Sequence, residues 1–154
     1  MKIYLDTIEE EGLHLKGEAD GSILDLFGDS SVKDICPVLY NLNVSLVTDE
    51  LLVCGSLEVT LSFRCSRCSD FFPHRVIEPK YNYNADVSDV PESVDLTEDI
   101  RVAMLLAFPS YPVCDSGCKG LCPHCGINLN NDKCKCKPPG DSRWVVLDNL
   151  EDIE

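Results

Sequence analysis

Residues 38–64 read VLYNLNVSLVTDELLVCGSLEVTLSFR. Val38, Tyr40, Leu42, Val44 and Leu46 alternate with mostly polar neighbours. After Thr48-Asp49-Glu50, residues Leu51, Val53, Gly55, Leu57, Val59, Leu61 and Phe63 take one face. Leu52, Cys54, Ser56, Glu58, Thr60 and Ser62 take the other. Side chains alternate across a strand, so a period of two on both sides of a short polar turn predicts a half-buried antiparallel hairpin. Residues 71–83 predict a third strand. Pro73 and Pro79 cannot donate to a ladder, which places that strand at an edge.

Towards the N-terminus, residues 3–5 predict a short strand, and Leu13 and Leu15 a second. Ile23, Leu24, Leu26 and Phe27 form an apolar cluster whose type the pattern leaves open. Downstream, residues 84–94 read as an acidic loop. Asp95-Leu96-Thr97-Glu98 then supplies a helix start, with a capping side chain and an acid at the positive end of the dipole. Leu96, Ile100, Ala103, Met104 and Ala107 recur at helical spacing, and a core stripe explains them better than a cofactor site. The expected helix lies near 96–108 and stops at Pro109. The fold class is α+β: an antiparallel β-rich N-terminal half with one main helix, followed by a Cys-rich zinc module. The expected division is 1–109 for the β-rich part and 110–154 for the module packed on it, forming one compact unit.

Cysteine is the compositional anomaly, with 10 in 154 residues. The start, MKIYLDTIEEEG, has no apolar signal core, and the longest apolar run, 102–109, is far short of a bilayer span. The expected compartment is therefore the cytoplasm, where disulfides are disfavoured and metal ligation, catalysis or burial remain. Eight cysteines fall into close pairs: Cys65 with Cys68, Cys114 with Cys118, Cys122 with Cys125, and Cys134 with Cys136. Two short pairs supply four thiolates, a tetrahedral zinc shell, at little loop-closure cost.

Cys122-Pro123-His124-Cys125-Gly126 is the strongest piece. Such a turn points backbone N–H groups at sulfur, and Gly126 permits the positive φ needed to leave it. Pairing it with Cys134 and Cys136 gives one site. Cys65, Cys68, Cys114 and Cys118 give the other. The competing partition is a single site from the six terminal cysteines, with Cys65 and Cys68 free or redox-active. Cys36 and Cys54 stand alone and are expected to be buried as small hydrophobes.

Catalysis finds little support. His14, His74 and His124 are scattered, and His124 is expected to face solvent. No nucleophile elbow, P-loop or dinucleotide glycine pattern is present. A catalytic zinc wants an open coordination position, whereas an all-cysteine shell is closed. A thioredoxin-like role for either Cys-x-x-Cys pair lacks the βαβ context.

The net charge is −14. That excludes a broadly basic nucleic-acid coat and disfavours an anionic membrane surface. The basic residues are nonetheless concentrated. Arg64, Arg67, Arg75 and Lys80 outnumber the acids over 64–80, and Lys119, Lys133, Lys135, Lys137 and Arg143 outnumber them over 114–144. Charge balance around zinc-bound thiolates explains this. So does a small basic face for nucleic-acid phosphate or an acidic protein, with Arg67, Arg75, Lys119, Lys133, Lys135, Lys137 and Arg143 as candidate contacts. Phe71, Tyr81 and Tyr83 could stack bases, although packing is the simpler reading. Pro138-Pro139-Gly140 reads as a stop, Trp144 as an anchor of the tail on the core, and residues 148–154 as solvated.

Cys65-Ser66-Arg67-Cys68 after an alternating strand, Tyr111-Pro112-Val113-Cys114, the string CKGLCPHCGINLN over 118–130, Cys134-Lys135-Cys136 and Asp141-Ser142-Arg143-Trp144 together resemble the YceD family, the large ribosomal RNA subunit accumulation proteins of bacteria and plastids. The similarity spans roughly residues 35–150. It implies a cytoplasmic, non-enzymatic factor supporting 23S rRNA accumulation or processing and large-subunit biogenesis, with a 23S rRNA precursor or a large-subunit ribosomal protein as partner. It also implies that some members keep the Cys-x-x-Cys turn and lack the terminal knuckles. The rival expectation is a zinc-dependent protein-interaction adaptor with no direct rRNA role. Either requires no membrane and no small-molecule substrate.

Overall fold

The computed structural model describes residues 1–9, 11–88 and 92–136. Strands β1 (Lys2–Tyr4), β2 (Leu13–Ala19), β3 (Val32–Lys33), β4 (Val38–Val47), β5 (Glu50–Arg64), β6 (Phe71–Asp86) and β7 (Ser93–Asp95) precede helix α1 (Thr97–Leu106). The chain is α+β, with antiparallel sheets, one α-helix and a cysteine-rich region after it among the described residues.

The hairpin of β4 and β5 is the spine. Its register runs from Val47 opposite Glu50 to Leu39 opposite Glu58, closed by the two-residue turn Thr48-Asp49. Thr48 takes the left-handed φ of 58° that mirror-image hairpin turns require. On one edge of β5 lie β4 and then the short β3; on the other lies β6, paired along its whole length. β2 extends the sheet beyond β4. β1 pairs with β7 in a separate two-stranded sheet.

Alternation decides which face is buried. Leu51, Val53, Leu57, Val59, Leu61 and Phe63 of β5 are buried, as are Leu42 and Val44 of β4. Leu96, Ile100 and Met104 cover them from α1 and the residue before it, with Leu24 from a 3-10 turn over Gly21–Leu24. Each such side chain contributes about 1.5–3 kcal/mol on burial. Gly55 lets β4 approach: a Cβ there would lie 2.1 Å from the Asn41 carbonyl oxygen. Pro79 is accommodated by a register shift, with Gly55 opposite Tyr81 but Leu57 opposite Glu78. Such a bulge leaves no ladder donor missing at Pro79.

Several boundaries differ from the periodicity reading. The first strand is Lys2–Tyr4, because Leu5–Thr7 closes into a 3-10 turn. β6 runs three residues beyond Tyr83, drawn on by pairing of Asn84, Ala85 and Asp86 with β5. The helix ends at Leu106. Its start is supported by Asp95, whose carboxylate accepts from the Thr97 N–H at 2.9 Å. The tail elements built on Pro138, Trp144 and residues 148–154 lie outside the described residues.

Candidate metal centres

The turn between β5 and β6 carries Cys65 and Cys68. The chain leaving α1 returns to it: the Ser66 N–H donates to the Pro112 carbonyl at 2.8 Å, and the Leu121 N–H to Arg67 O at 3.0 Å. That contact brings Cys114 and Cys118 beside the hairpin tip. The four sulfurs lie within 4.8 Å of one another, with Cys65–Cys118 at 3.9 Å and Cys68–Cys114 at 3.7 Å. A tetrahedral ion with metal–sulfur bonds of about 2.3 Å has sulfur edges of about 3.8 Å. Cys65, Cys68 and Cys118 are buried and Cys114 is exposed.

The second group is local. Cys122, Cys125, Cys134 and Cys136 also lie within 4.8 Å of one another. Cys134 is 3.3 Å from Cys122 and 3.4 Å from Cys125, a few tenths shorter than the ideal edge. Gly126 leaves the knuckle at φ 71°, and the His124 N–H points at Cys122 Sγ from 3.5 Å. This group is the more open: only Cys122 is buried. All ten cysteines are free thiols.

The electrostatics of both groups suit a cation. Burial pushes the Cys65 thiol up, but N–H groups of Cys114, Cys68 and Arg67 outweigh it and bring it down to about 6. The N–H groups of Cys125 and His124 bring Cys122 to about 6 as well. In each group a neighbour is driven the other way. Cys114 is pushed up to about 12 by burial and by contact with the other thiols. At Cys134 the Cys136 N–H favours the thiolate, but the surrounding sulfurs win and raise it to about 12. Sulfurs this close cannot all lose their protons unless a positive charge sits between them. Two groups of four cysteines that can each hold a metal ion are thus present, divided as two pairs each. A single six-cysteine site is not formed.

A bond not foreseen from sequence joins the groups. Asn130, in the loop between Cys125 and Cys134, donates from Nδ2 to Cys118 Sγ at 3.3 Å and accepts the Lys119 N–H at 2.8 Å. Asn128 anchors the same loop to Asp70 at 2.6 Å. The signal available was Asn128-Leu129-Asn130, residues suited to side-chain-to-backbone bonding and set between two knuckles.

The burial expected for Cys36 and Cys54 is corrected: both are exposed. Cys54 occupies the outward set of β5, between buried Val53 and half-buried Gly55, and its thiol donates to Asn82 Oδ1 at 3.2 Å. Cys36 precedes the sheet-forming part of β4 and is held only by its backbone, through Thr60 O at 2.9 Å. At Cys54 strand parity outweighs the apolar preference of the thiol.

The candidate contact residues are divided. Arg67 is exposed, with its Nη1 donating to the Ser116 and Cys118 carbonyls at 3.2 Å each. Arg75 is paired with Glu58. Lys119, Lys133 and Lys135 are exposed around the second group, as is His124. Lys137 and Arg143 lie outside the described residues. Tyr81 is buried, Tyr83 is half-buried, and exposed Phe71 lies beneath Lys33 Nζ, 4.3 Å from its ring centre.

Residues 73–151 match the family described as large ribosomal RNA subunit accumulation protein YceD. The chain belongs to the YceD family. An uncharacterized protein of Mycobacterium tuberculosis is 29% identical over 150 residues, covering 88% of this chain and 66% of that protein. The large ribosomal RNA subunit accumulation protein YCED homolog 1, chloroplastic, of Arabidopsis thaliana is 34% identical over 76 residues, 49% of this chain and 22% of its own length. The homologue of the same name in Zea mays is 42% identical over 48 residues, 30% of this chain and 16% of its own length. The chain thus spans just under two thirds of the length of the mycobacterial relatives it matches. No solved structure matches it. No helix among the described residues is long and apolar enough to cross a membrane.

Proposed function

We propose that this chain is a non-enzymatic, zinc-dependent factor of the cytoplasm that supports 23S rRNA accumulation or processing and large ribosomal subunit biogenesis. The observation that carries this reading is the family match, which extends over both cysteine pairs of the second group and over Cys114 and Cys118 of the first. The names of the chloroplastic relatives point the same way.

In this reading Cys65, Cys68, Cys114 and Cys118 hold one zinc, and Cys122, Cys125, Cys134 and Cys136 hold a second. All-thiolate tetrahedral shells have no open position for a water or substrate, so they organise structure and leave chemistry to others. Residues 110–154 form a module ordered by its metals and docked on a β-rich part, 1–109. Structural zinc supplies about 10–16 kcal/mol in small peptides, enough to decide whether such a module folds. Arg67, Arg75, Lys119, Lys133, Lys135, Lys137 and Arg143 are offered to the partner.

Depletion followed by rRNA profiling tests the reading. Reduced or misprocessed 23S rRNA, with the protein sedimenting alongside large-subunit precursors, is the expected result. Normal 23S rRNA and no cofractionation would overturn it. The net charge of −14 favours one rival, an adaptor that meets only a basic protein. That rival predicts cofractionation with unchanged rRNA.

A further inference from the structure

The outer face of the main sheet carries no layer of secondary structure among the described residues, and its charge is unlike that of the rest of the chain. The strand registers line up two rows of outward side chains across four strands. One row is His14, Asn43, Cys54 and Asn82. The next is Lys16, Asn41 and Ser56, with Lys80 in the bulge opposite Ser56. All are exposed except half-buried Ser56. In a chain with 27 acidic residues, neither row contains one. The carboxylates nearest along the strands are Glu18 on β2, Glu58, which Arg75 already neutralises, and Glu78 on β6, whose Oε1 accepts the Lys80 backbone N–H at 2.9 Å. Among the described residues, neither Lys16 nor Lys80 is in an ion pair.

The polarity of the band is as specific as its charge. His14 donates from Nε2 to Asn41 Oδ1 at 2.6 Å, and the Cys54 thiol donates to Asn82 Oδ1 at 3.2 Å. Both amide oxygens are therefore occupied, which leaves both amide NH2 groups for a visitor. With the two ammonium groups, the band is an array of hydrogen-bond donors. Two shallow grooves, of about 490 and 540 Å³, run along it and share Asn41 and Ser56. Lys16 and Lys80 stand three strand spacings apart, about 14 Å. The rows themselves contain no aromatic or aliphatic side chain; exposed Leu39 and half-buried Tyr40, which line the first groove, are the apolar neighbours, few of the anchors that usually carry a protein interface. A chain of phosphates needs only donors and positive charge.

We propose that this band of the outer sheet face binds the backbone of single-stranded RNA. Lys16 and Lys80 take phosphates, and the Asn41 and Asn82 amides donate to sugar or base oxygens. The choice of RNA among polyanions rests on the ribosomal reading above; the site itself rests on the register and the donor pattern.

The test is fluorescence anisotropy of a labelled single-stranded oligouridylate with the full zinc-loaded chain, at about 50 and about 200 mM salt. The charge reversal K16E/K80E is expected to weaken binding about tenfold and to flatten the log–log salt dependence by about 0.7 for each phosphate no longer neutralised. N41A/N82A, which leaves the charge alone, is expected to weaken binding several-fold with the slope retained. K2E/K33E, a charge-matched pair of exposed lysines on β1 and β3 outside the band, is expected to stay within about twofold of the parent. Unchanged zinc content and circular dichroism establish that the exposed substitutions leave the fold intact. Equal affinity of K16E/K80E and the parent would overturn the proposal. So would an equal loss in K2E/K33E, no binding by the parent, or displacement of the RNA by a polyglutamate peptide at matched charge. RNA profiling on depletion reads the ribosomal function separately: altered 23S rRNA with no oligouridylate binding rejects the sheet face and leaves that function standing.

Discussion

Asn130 reaches out of the loop of one cysteine group to hydrogen-bond the Cys118 sulfur of the other, 3.3 Å away. The two groups are therefore not independent. Closing the second fixes the loop over 126–133, and that loop then supplies an amide that lowers the Cys118 thiol and favours its thiolate. Partners of this kind, one bond removed from a metal, commonly change metal affinity 10–100-fold when removed.

Asn130→Ala is accordingly expected to weaken metal binding at the first group by about tenfold, although the residue is no ligand. Competition with a chromophoric chelator measures it. Two release steps that separate further in the variant than in the parent support the link. Superimposable release curves would show that the amide contributes nothing.

Thiol reactivity should follow exposure and coordination together. In the metal-loaded native chain, a disulfide reagent is expected to modify Cys36 and Cys54 promptly, since both are exposed and unclustered. The eight grouped thiols should react only after a chelator is added, Cys125, Cys134 and Cys136 ahead of buried Cys65 and Cys68. Mass mapping of the adducts checks the order. Early loss of all ten thiols without chelator would contradict closed coordination.

Gly55→Ala tests the hairpin. Its methyl group would meet the Asn41 carbonyl oxygen at 2.1 Å and the Leu42 Cα at 2.8 Å, both backbone, in the middle of the longest pairing of β4. Neither atom belongs to a side chain that can swing aside. A loss of at least about 3 kcal/mol is expected, the upper end of ordinary overpacking, read by urea denaturation. A loss below about 1 kcal/mol would mean that β4 separates from β5 more easily than the register suggests.

Acid stability should depend on Asp95. The hydroxyl and the backbone N–H of Thr97 hold its carboxyl well below the usual carboxylate range. A carboxyl so depressed stabilises the fold above its unfolded value, about pH 3.9, and that contribution disappears as the pH falls through the folded value. Asp95→Asn should therefore melt lower than the parent at neutral pH, and the gap should narrow as the pH drops below about 4. Parallel melting curves from pH 7 downward would remove the carboxylate from the account.

The legible parts of this chain were local ones. Alternation from Val38 to Phe63 announced the hairpin because a period of two requires no knowledge of what lies across it. The pairing of Cys122 with Cys125, and of Cys134 with Cys136, was visible as spacing. What escaped was long-range or depended on parity. β3, two residues at Val32–Lys33, is a strand only because Phe63 and Ser62 lie alongside. The bonds of exposed Arg67 to the carbonyls of Ser116 and Cys118, about fifty positions further along the chain, had no local signal. Cys54 already alternated with Val53 in the sequence, yet the general apolar habit of cysteine obscured what that parity implied.

The first cysteine group joins a hairpin tip to a segment that follows a whole helix, whereas the second closes within one short stretch. During translation the thiols of Cys65 and Cys68 therefore emerge as half a grip, and their partners Cys114 and Cys118 arrive seconds later at about 5–20 residues per second. The nascent hairpin must wait, unclasped, with its thiols open to any competing ion or oxidant. Metal supply at the moment of synthesis, more than affinity at equilibrium, would then govern the yield of correctly clasped chains.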